Sequence, residues 1–263
     1  MYIFFTIIFF ALGLIIGSFL NVVIYRINTS KSLGGRSACM SCRNQLCWFE
    51  LIPFFSFLGL KGRCRNCKTK ISLQYPLVEF LTGMLFVFIF LKFQSLLLID
   101  PFVFLITFLY YVAMFSILMV IVIYDLKHKI IPDILSFTFG FLAFVGLFFF
   151  TYDGLYVHMP TMLDLLSGVL TALPFFLLWL LSKGAWMGLG DAKLALGLGW
   201  FVGIALALSA LALSFWIGTI VGLYLIFFKK GYGMKSEIPF APYLVLGTFL
   251  AFIFNLNIFH VYF

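Results

Sequence analysis

Charged residues are scarce in this chain. Only 10% of its 263 residues are Asp, Glu, Lys or Arg, whereas 64% are hydrophobic and the mean hydropathy is +1.18. Soluble globular domains are about one quarter charged and about half apolar. The composition therefore excludes an ordinary soluble domain and predicts a polytopic membrane protein, in which the 37 Phe residues suit a lipid-facing surface.

Several catalytic motifs are also absent. The chain contains no G-x-S-x-G, no H-E-x-x-H and no glycine-rich nucleotide loop after a strand. Its three histidines (His128, His158 and His260) are scattered and are more typical of interfacial residues than of metal ligands. These absences argue against a serine-hydrolase elbow and against a zinc peptidase of the H-E-x-x-H type.

Long apolar runs predict an all-α fold with about eight transmembrane helices. A spanning helix needs about 20 apolar residues. On that measure the spans lie at 2–25, 77–98, 101–124, 134–151, 163–182, 194–205, 206–228 and 239–259. The first has neither the basic start nor the cleavage site of a signal peptide, so we interpret it as a retained span. The sixth is short, and its boundary with the seventh is placed near Ala205.

Basic residues mark one side of the predicted bundle. Of the 17 Lys and Arg, all but Lys92 fall in the alternate loops 26–76, 125–133, 183–193 and 229–238. Basic loops face the cytoplasm, so both termini are predicted to lie outside. The net charge of +8 is then mainly a signal of topology rather than of nucleic-acid binding. If the sixth segment did not cross the membrane, Lys229 and Lys230 would lie outside, which would contradict the rule that basic loops face the cytoplasm.

The five cysteines all fall in the long basic loop at 26–76. Cys39 and Cys42 form one C-x-x-C pair, and Cys64 and Cys67 form a second, with 21 residues between the pairs. Four thiolates on two tight turns suit tetrahedral Zn²⁺, and a reducing cytoplasm disfavours disulfides. We therefore predict a structural zinc site that holds this loop domain together, and we interpret Cys47 as a spare buried thiol rather than as a fifth ligand.

Two of the nine acids stand at the ends of apolar spans. Asp125 follows an uninterrupted apolar run at the inner end of the third span. Asp191 is placed at the inner end of the fifth span, in "MGLGDAKL", with Gly188 and Gly190 beside it. Two carboxylates at one membrane depth share a proton, and such a pair suits amide hydrolysis. The glycines permit positive φ and close approach of a substrate backbone. Simple helix capping in interfacial water is the alternative explanation for each acid.

The remaining acids carry weaker predictions. Asp133, which follows Pro132, is placed to cap the fourth span, although a supporting role at the catalytic site stays open. Glu79 lies in the first turn of the second span, where the helix dipole favours an acid. Glu50 lies inside the cysteine loop with no comparable local reason for its charge.

Together the motifs resemble those of the type IV prepilin peptidase family. The resemblance rests on "GSFLNVVIYR", the two cysteine pairs flanking "LCWFELIPFFSFL" and "LKGRCRNC", "ISLQYPLVE", "DLKHKIIPD", "GLGDAKL" and "PFAPYLVLG", in this order along almost the whole chain. The chain departs from the family pattern at Leu51, where asparagine is usual, after Arg26, where proline is usual, and at the extra Cys47.

The resemblance implies a bacterial inner-membrane aspartic endopeptidase with Asp125 and Asp191 as its catalytic pair. Its substrates would be type IV prepilins or type II secretion pseudopilins, whose basic leader is cut at the cytoplasmic face. Gly188, Gly190, Lys193 and Asp133 would support the substrate site. The resemblance also implies methylation of the new amino terminus by S-adenosylmethionine, with Glu50, Gly62 and Arg63 as the cofactor-binding residues.

The expected organisation is a first helix at 1–25, a zinc-binding loop domain at 26–76 that is associated with methyl transfer, and a peptidase core at 77–263. Two rival functions remain at this stage. The first is an intramembrane aspartic protease of other signal or transmembrane peptides. The second is a proton-coupled transporter that uses the paired acids, although acids at the boundary and the lack of an inverted repeat argue against it.

Overall fold

The protein is mainly helical. A computed structural model describes residues 2–29, 32, 34–151, 153–229, 233 and 237–259, so Lys31, Lys230, Lys235 and His260 lie outside the described residues. The helices are α1 (Tyr2–Arg26), α2 (Phe55–Gly59), α3 (Gln74–Ile99), α4 (Pro101–His128), α5 (Asp133–Gly146), α6 (Met162–Ser182), α7 (Leu189–Phe228) and α8 (Ala241–Phe254), with a 3₁₀ turn at Trp48–Leu51. A hairpin of β1 (Phe150–Thr151) and β2 (Gly154–Leu155) follows α5.

The helix lengths confirm a multi-pass membrane protein. Five helices (α1, α3, α4, α6 and α7) are long and apolar enough to cross a bilayer, while α5 and α8 are apolar but have only 14 residues each. The predicted ends of the fourth and eighth spans were therefore wrong. The fourth stops at Gly146 because the chain turns into the β-hairpin, which α4 holds through a 2.8 Å bond from the Tyr111 hydroxyl to the Thr151 carbonyl. The eighth stops where Asn255 adopts a left-handed C-cap.

Helix starts follow local polar residues. The Asp100 carboxylate accepts hydrogen bonds from the backbone N–H groups of Phe102 (2.9 Å) and Val103 (3.2 Å) at the beginning of α4. Thr161 and Asp164 exchange side chain–backbone bonds at the beginning of α6. Both acids satisfy N–H groups that a helix leaves without intrahelical partners. Both acids therefore stabilise the start of a helix.

The chain divides into two compact units, Met1–Gln94 and Ser95–Phe263. In the N-terminal unit, α1 packs closely on α3 through glycines. A Cβ atom at Gly17 would lie 2.7 Å from the Glu79 Cα, and one at Gly13 would lie 2.7 Å from the Gly83 Cα. Close approach of backbones at small residues is the usual way in which membrane helices associate.

In the C-terminal unit, α4 packs antiparallel to α8 and to the first part of α7. Tyr111 of α4 packs on Phe252 near the end of α8 (4.7 Å between ring centroids), and Phe115 packs on Phe201 of α7 (5.2 Å). Phe201 also contacts Phe252, at 5.9 Å. Tyr111 and Phe115 lie well before the end of α4, whereas Phe201 lies well after the start of α7. Since the two helices are antiparallel, the end of α4 therefore lies beside the start of α7.

The long helix α7 reverses direction at Gly203. Its first segment (189–202) runs parallel to α8, since both are antiparallel to α4. Its second segment (204–228) runs antiparallel to α8, because Ser209 bonds Ile258 whereas Ser214 bonds Leu244. Gly203 has φ 73° and ψ 164°, a conformation that is essentially restricted to glycine. The predicted sixth and seventh spans are therefore two segments, divided two residues before Ala205.

We expect Gly203→Ala to destabilise the protein by about 1–3 kcal/mol, because the added Cβ is strained at this φ and ψ even though no atom lies nearby. The measurement is unfolding of the purified protein in detergent. Gly222→Ala is the matched control, since a Cβ there meets only Ile238 Cδ1 at 3.9 Å in regular helix. Equal stability of the two variants would contradict this interpretation of Gly203.

Candidate active site and metal centre

Asp125 is a buried carboxylate in the last turn of α4, and only 4% of its surface is exposed. Its carboxyl group accepts a hydrogen bond from the backbone N–H of Ala241, the first residue of α8. Its Oδ2 has no hydrogen-bond partner among the described residues. A helix N-terminus carries partial positive charge, so α8 is oriented to stabilise this acid.

Asp191 lies in the first turn of α7 rather than at the end of the preceding span. Gly188 is the N-cap, and its backbone N–H donates to the Asp191 carboxyl group. The acid is half-buried. The position at the inner end of span five predicted from the sequence was therefore wrong by one helix, because Leu189 already begins α7.

The two carboxyl groups lie close enough for their charges to interact. They approach from antiparallel helices, Asp125 near the end of α4 and Asp191 at the start of α7. Neither acid forms an ion pair with a Lys, Arg or His of the described chain. Two neighbouring carboxylates without a cation between them can share one proton and act together as general acid and base.

The two glycines near Asp191 have ordinary backbone conformations. Gly188 is extended, with φ −74° and ψ 150°, and Gly190 is helical, so neither uses a positive φ. A Cβ at Gly190 would lie 3.1 Å from Ile131 Cβ, which makes this glycine a contact point for the α4–α5 connection. A Cβ at Gly188 would meet nothing closer than 3.8 Å, where its nearest neighbour is Asp191 Oδ2. Only Gly188 leaves open space beside an acid.

Asp133 and Lys193 form an ion pair of 2.7 Å. Lys193 also lies over the ring of Phe137, with 5.4 Å from Nζ to the ring centroid. The N-cap of α5 is Pro132, and Asp133 makes no capping hydrogen bond, so the predicted capping role was wrong. The reason is that Lys193, two residues after Asp191, offers the carboxylate a charged partner. The pair joins the start of α5 to the start of α7.

Cys39, Cys42, Cys64 and Cys67 converge in the N-terminal unit. Their four Sγ atoms all lie within 4.8 Å of one another, and Cys39 Sγ is 3.7 Å from Cys67 Sγ. Four thiolates around a tetrahedral Zn²⁺ with bonds of about 2.3 Å have sulfur atoms separated by about 3.8 Å, so the donor set fits this ion. The sulfurs are too far apart for disulfide bonds of about 2.05 Å.

Local hydrogen bonds prepare two of these thiols for metal binding. The side-chain hydroxyl and the backbone N–H of Thr69 lower the pKa of Cys67 to about 6. Backbone N–H groups of Cys42 and Ser41 likewise lower the pKa of Cys39. A metal binds the thiolate rather than the thiol, so a lowered pKa reduces the cost of deprotonation.

Cys47 lies outside the cysteine cluster and is exposed, so its predicted burial was wrong. It begins the 3₁₀ turn, where its backbone N–H donates to Glu50 Oε2 at 2.8 Å. Glu50 thereby has a local structural partner, which the sequence did not reveal. Gly62 has φ 64° and sits against Phe57, whose Cζ would be 2.8 Å from an added Cβ. Arg63 is exposed, in a short antiparallel bridge with Lys70.

Glu79 is the residue whose role sequence reasoning missed. It is buried, and its Oε2 accepts the backbone N–H of Phe54 at 2.7 Å. Phe54 has φ 62° and ψ −52°, an uncommon conformation for a bulky residue. The helix dipole alone had been the favoured explanation for this acid. No sequence signal other than its place near the start of an apolar helix indicates a bond to a residue 25 positions earlier.

Comparisons with known proteins agree with this division of the chain. A family model described as the bacterial peptidase A24 N-terminal domain matches residues 11–93, and one described as the type IV leader peptidase family matches residues 112–223.

Curated proteins named prepilin leader peptidase/N-methyltransferase are similar along most of their length. The protein of Myxococcus xanthus is 34% identical, with 89% of this chain and 67% of that protein covered. The protein of Bacillus subtilis is 31% identical, with 96% of both chains covered, and that of Vibrio cholerae is 28% identical, with 94% of this chain and 96% of that protein covered. No solved structure matches.

We expect the purified protein to retain bound zinc and Cys64→Ser to lose it, because three thiolates hold the ion less firmly than four. Elemental analysis of the full-length protein measures the metal, and circular dichroism checks that the helices persist. Cys47→Ser is the matched control, since this exposed thiol lies outside the cluster. Unchanged zinc in Cys64→Ser, or loss from Cys47→Ser, would show that the ligand set is wrong.

Proposed function

The chain belongs to the type IV leader peptidase family, and from this premise we propose how its residues perform the reaction. The protein is a membrane peptidase that cleaves the leader from prepilin-like precursors. Asp125 and Asp191 are the catalytic pair in this proposal. The observation that carries it is the approach of two carboxyl groups on antiparallel helices with no Lys, Arg or His of the described chain paired to either.

The proposed chemistry is general acid–base hydrolysis. One carboxylate takes a proton from the attacking water while the protonated carboxyl group donates a hydrogen bond to the scissile carbonyl oxygen. When the tetrahedral intermediate collapses, a carboxyl group returns a proton to the leaving nitrogen of the amide. The Ala241 N–H holds the Asp125 carboxyl group, and the Gly188 N–H holds that of Asp191, so neither has to reorient for the reaction.

Lys193 and Asp133 serve as positioning residues in this proposal. Their ion pair fixes the first turn of α5 against the first turn of α7, which carries Asp191. Gly190 permits the close contact with Ile131 beside it. Gly188 contributes differently, because its open side leaves room for an extended substrate backbone next to the acid.

We also propose that the N-terminal unit binds structural Zn²⁺ and supports methyl transfer to the new amino terminus. The four cysteines would hold the ion, and four protein ligands leave no position for a reacting water. S-adenosylmethionine would supply the methyl group. Glu50, Gly62 and Arg63 remain the proposed residues for its site, although Glu50 and Gly62 also maintain the local fold. The N-methyltransferase in the names of the relatives supports this second activity.

Substrate type and location are likewise proposals. The substrates would be type IV prepilins or type II secretion pseudopilins, each a single apolar helix preceded by a basic leader. The distribution of Lys and Arg favours a bacterial inner-membrane protein with its acids at the cytoplasmic face. The transporter alternative is disfavoured, because both acids lie at helix ends rather than in mid-span.

We expect Asp125→Asn and Asp191→Asn each to reduce cleavage of a purified prepilin-like precursor by about 10²–10⁴-fold, the usual contribution of an acid–base group. Asp153→Asn is the control, because Asp153 lies at the hairpin held by the opposite end of α4. Retained cleavage in both active-site variants would disprove the catalytic assignment. When S-adenosylmethionine is supplied, the mature protein released by cleavage should gain the mass of one methyl group. A mass equal to that of the unmethylated mature protein would disprove methyl transfer.

We expect Asp133→Asn to lower kcat by up to about 10²-fold with little change in KM, because displacement of a catalytic group by about 1 Å has an effect of this size. Stability should change by less than about 1 kcal/mol, since the pair is partly exposed. Glu237→Gln is the matched control, because the Lys129–Glu237 pair is longer, at 3.8 Å, and more exposed. If the two variants have the same kcat, the Asp133–Lys193 pair does not position the site.

A further inference from the structure

Residues 48–58 expose an unusual amount of apolar surface for a loop between two membrane helices. Trp48 is 78% exposed, Phe55 is 60% exposed and Leu58 is 57% exposed. Leu51 and Ile52 are also exposed, at 42% and 41%. Glu50 is the sole acid in this segment, and its carboxylate accepts the Cys47 N–H. Contiguous exposed apolar side chains of this kind mark a binding surface. We call residues 48–58 the apolar strap.

The strap is fixed at the level of the membrane boundary. Phe54, near the middle of the strap, donates its backbone N–H to Glu79 Oε2 at 2.7 Å, and its ring centroid lies 5.5 Å from that of Phe80. Glu79 is the sixth residue of α3, about 8 Å along the helix from its first residue. Since α3 is one of the five membrane-spanning candidates, a segment bonded to its first turns lies where the polar headgroups meet the hydrocarbon.

The backbone is strained at Phe54, where the strap is bonded to Glu79. Phe54 has φ 62°, which costs free energy for a residue with a bulky side chain. Its N–H nevertheless meets a buried carboxylate, and the following residue closes a tight turn through a 2.6 Å bond from the Phe55 N–H to the Pro53 carbonyl. The turn directs the Phe55 side chain outward, where it is exposed. The fold thus maintains a conformation that presents an aromatic ring at the membrane boundary.

The charge around the strap is almost wholly positive. The loop at 26–76 contains nine of the 17 Lys and Arg residues and one acid, Glu50. Lys61, Arg63, Arg65, Lys68 and Lys70 are all exposed. The Arg65 guanidinium carbon lies 5.1 Å above the Phe49 ring, which joins the basic surface to the apolar one. Aromatic side chains beside Lys and Arg are the composition that binds the interface of an anionic bilayer.

We propose that the apolar strap binds the surface of the bilayer that the protein spans, with Trp48, Phe55 and Leu58 among the headgroups and the basic residues against anionic lipid phosphates. The surface is continuous with a membrane helix through the Phe54–Glu79 bond, which favours lipid over a soluble protein as the occupant. This contact holds the cysteine cluster at the membrane surface. The proposal is independent of the catalytic role of the two aspartates.

The experiment measures the environment of Trp48 in the full-length protein, reconstituted in nanodiscs of phosphatidylcholine and phosphatidylglycerol. The difference in fluorescence between the parent protein and Trp48→Ser isolates the emission of Trp48. We expect lipids brominated near the glycerol to remove most of this emission, and aqueous acrylamide to remove little. Phe55→Ser/Leu58→Ser should make Trp48 accessible to acrylamide, and Met40→Ser, an exposed apolar residue outside the strap, should not.

Three results would overturn the proposal. The first is strong acrylamide quenching of Trp48 in anionic nanodiscs together with no quenching by brominated lipid. The second is protection from acrylamide that appears only after a prepilin-like precursor is added, because the occupant would then be the substrate. The third is equal quenching by brominated lipid with and without phosphatidylglycerol, because the basic residues would then contribute nothing to lipid binding. Cleavage measured on the same samples reports separately on the peptidase function.

Discussion

The contact of Phe201 with the aromatic side chains of α4 and α8 determines where the candidate active site forms. Phe201 touches Tyr111, Phe115 and Phe252, and all four rings lie in the interior of the C-terminal unit. This packing fixes the first segment of α7 antiparallel to α4. Ten residues before Phe201, the same helix carries Asp191, which is consequently delivered to the level of Asp125. An apolar cluster far from the acids therefore decides their proximity.

The sequence predicted the acids and the cysteines because each follows from a simple rule. Charge is rare in apolar segments, so Asp125 and Asp191 stand out, and two C-x-x-C pairs indicate a metal site. In the structure the two acids lie near each other, and the four cysteines separately converge on one another. Such rules could not predict contacts between side chains that are distant in the sequence. The exposed Asp133 carboxylate pairs with Lys193, 60 positions away, and the buried Glu79 carboxylate accepts the Phe54 N–H, because each carboxylate bonds the donor that the fold places beside it. The conformation of Gly203 was equally hidden, because its sequence context is uniformly apolar.

The two centres rely on opposite electrostatic arrangements. The cysteine cluster gathers four thiols that a bound cation would hold as thiolates, and hydrogen-bond donors lower the pKa of two of them, Cys39 and Cys67. The aspartate pair has no such cation from the described chain, and helix N-termini are its main partners. The first arrangement favours permanent occupation and rigidity. The second leaves a carboxylate oxygen of Asp125 without a bond, which keeps it available for a reactant.

The shortness of the helices around the acids has a mechanical effect on the surrounding lipid. α5, α8 and the 189–202 segment of α7 contain about 14 residues each and rise only about 20 Å, against a hydrocarbon thickness of about 30 Å. Lipid beside short helices becomes thinner to avoid exposing apolar chains to water. All three begin at the end of the bundle that carries Asp125, Asp133 or Asp191. If the two acids act as proposed, hydrophobic mismatch would draw the headgroup layer and its water toward the carboxylates and would shorten the length of apolar helix that a substrate must withdraw from the bilayer to be cut.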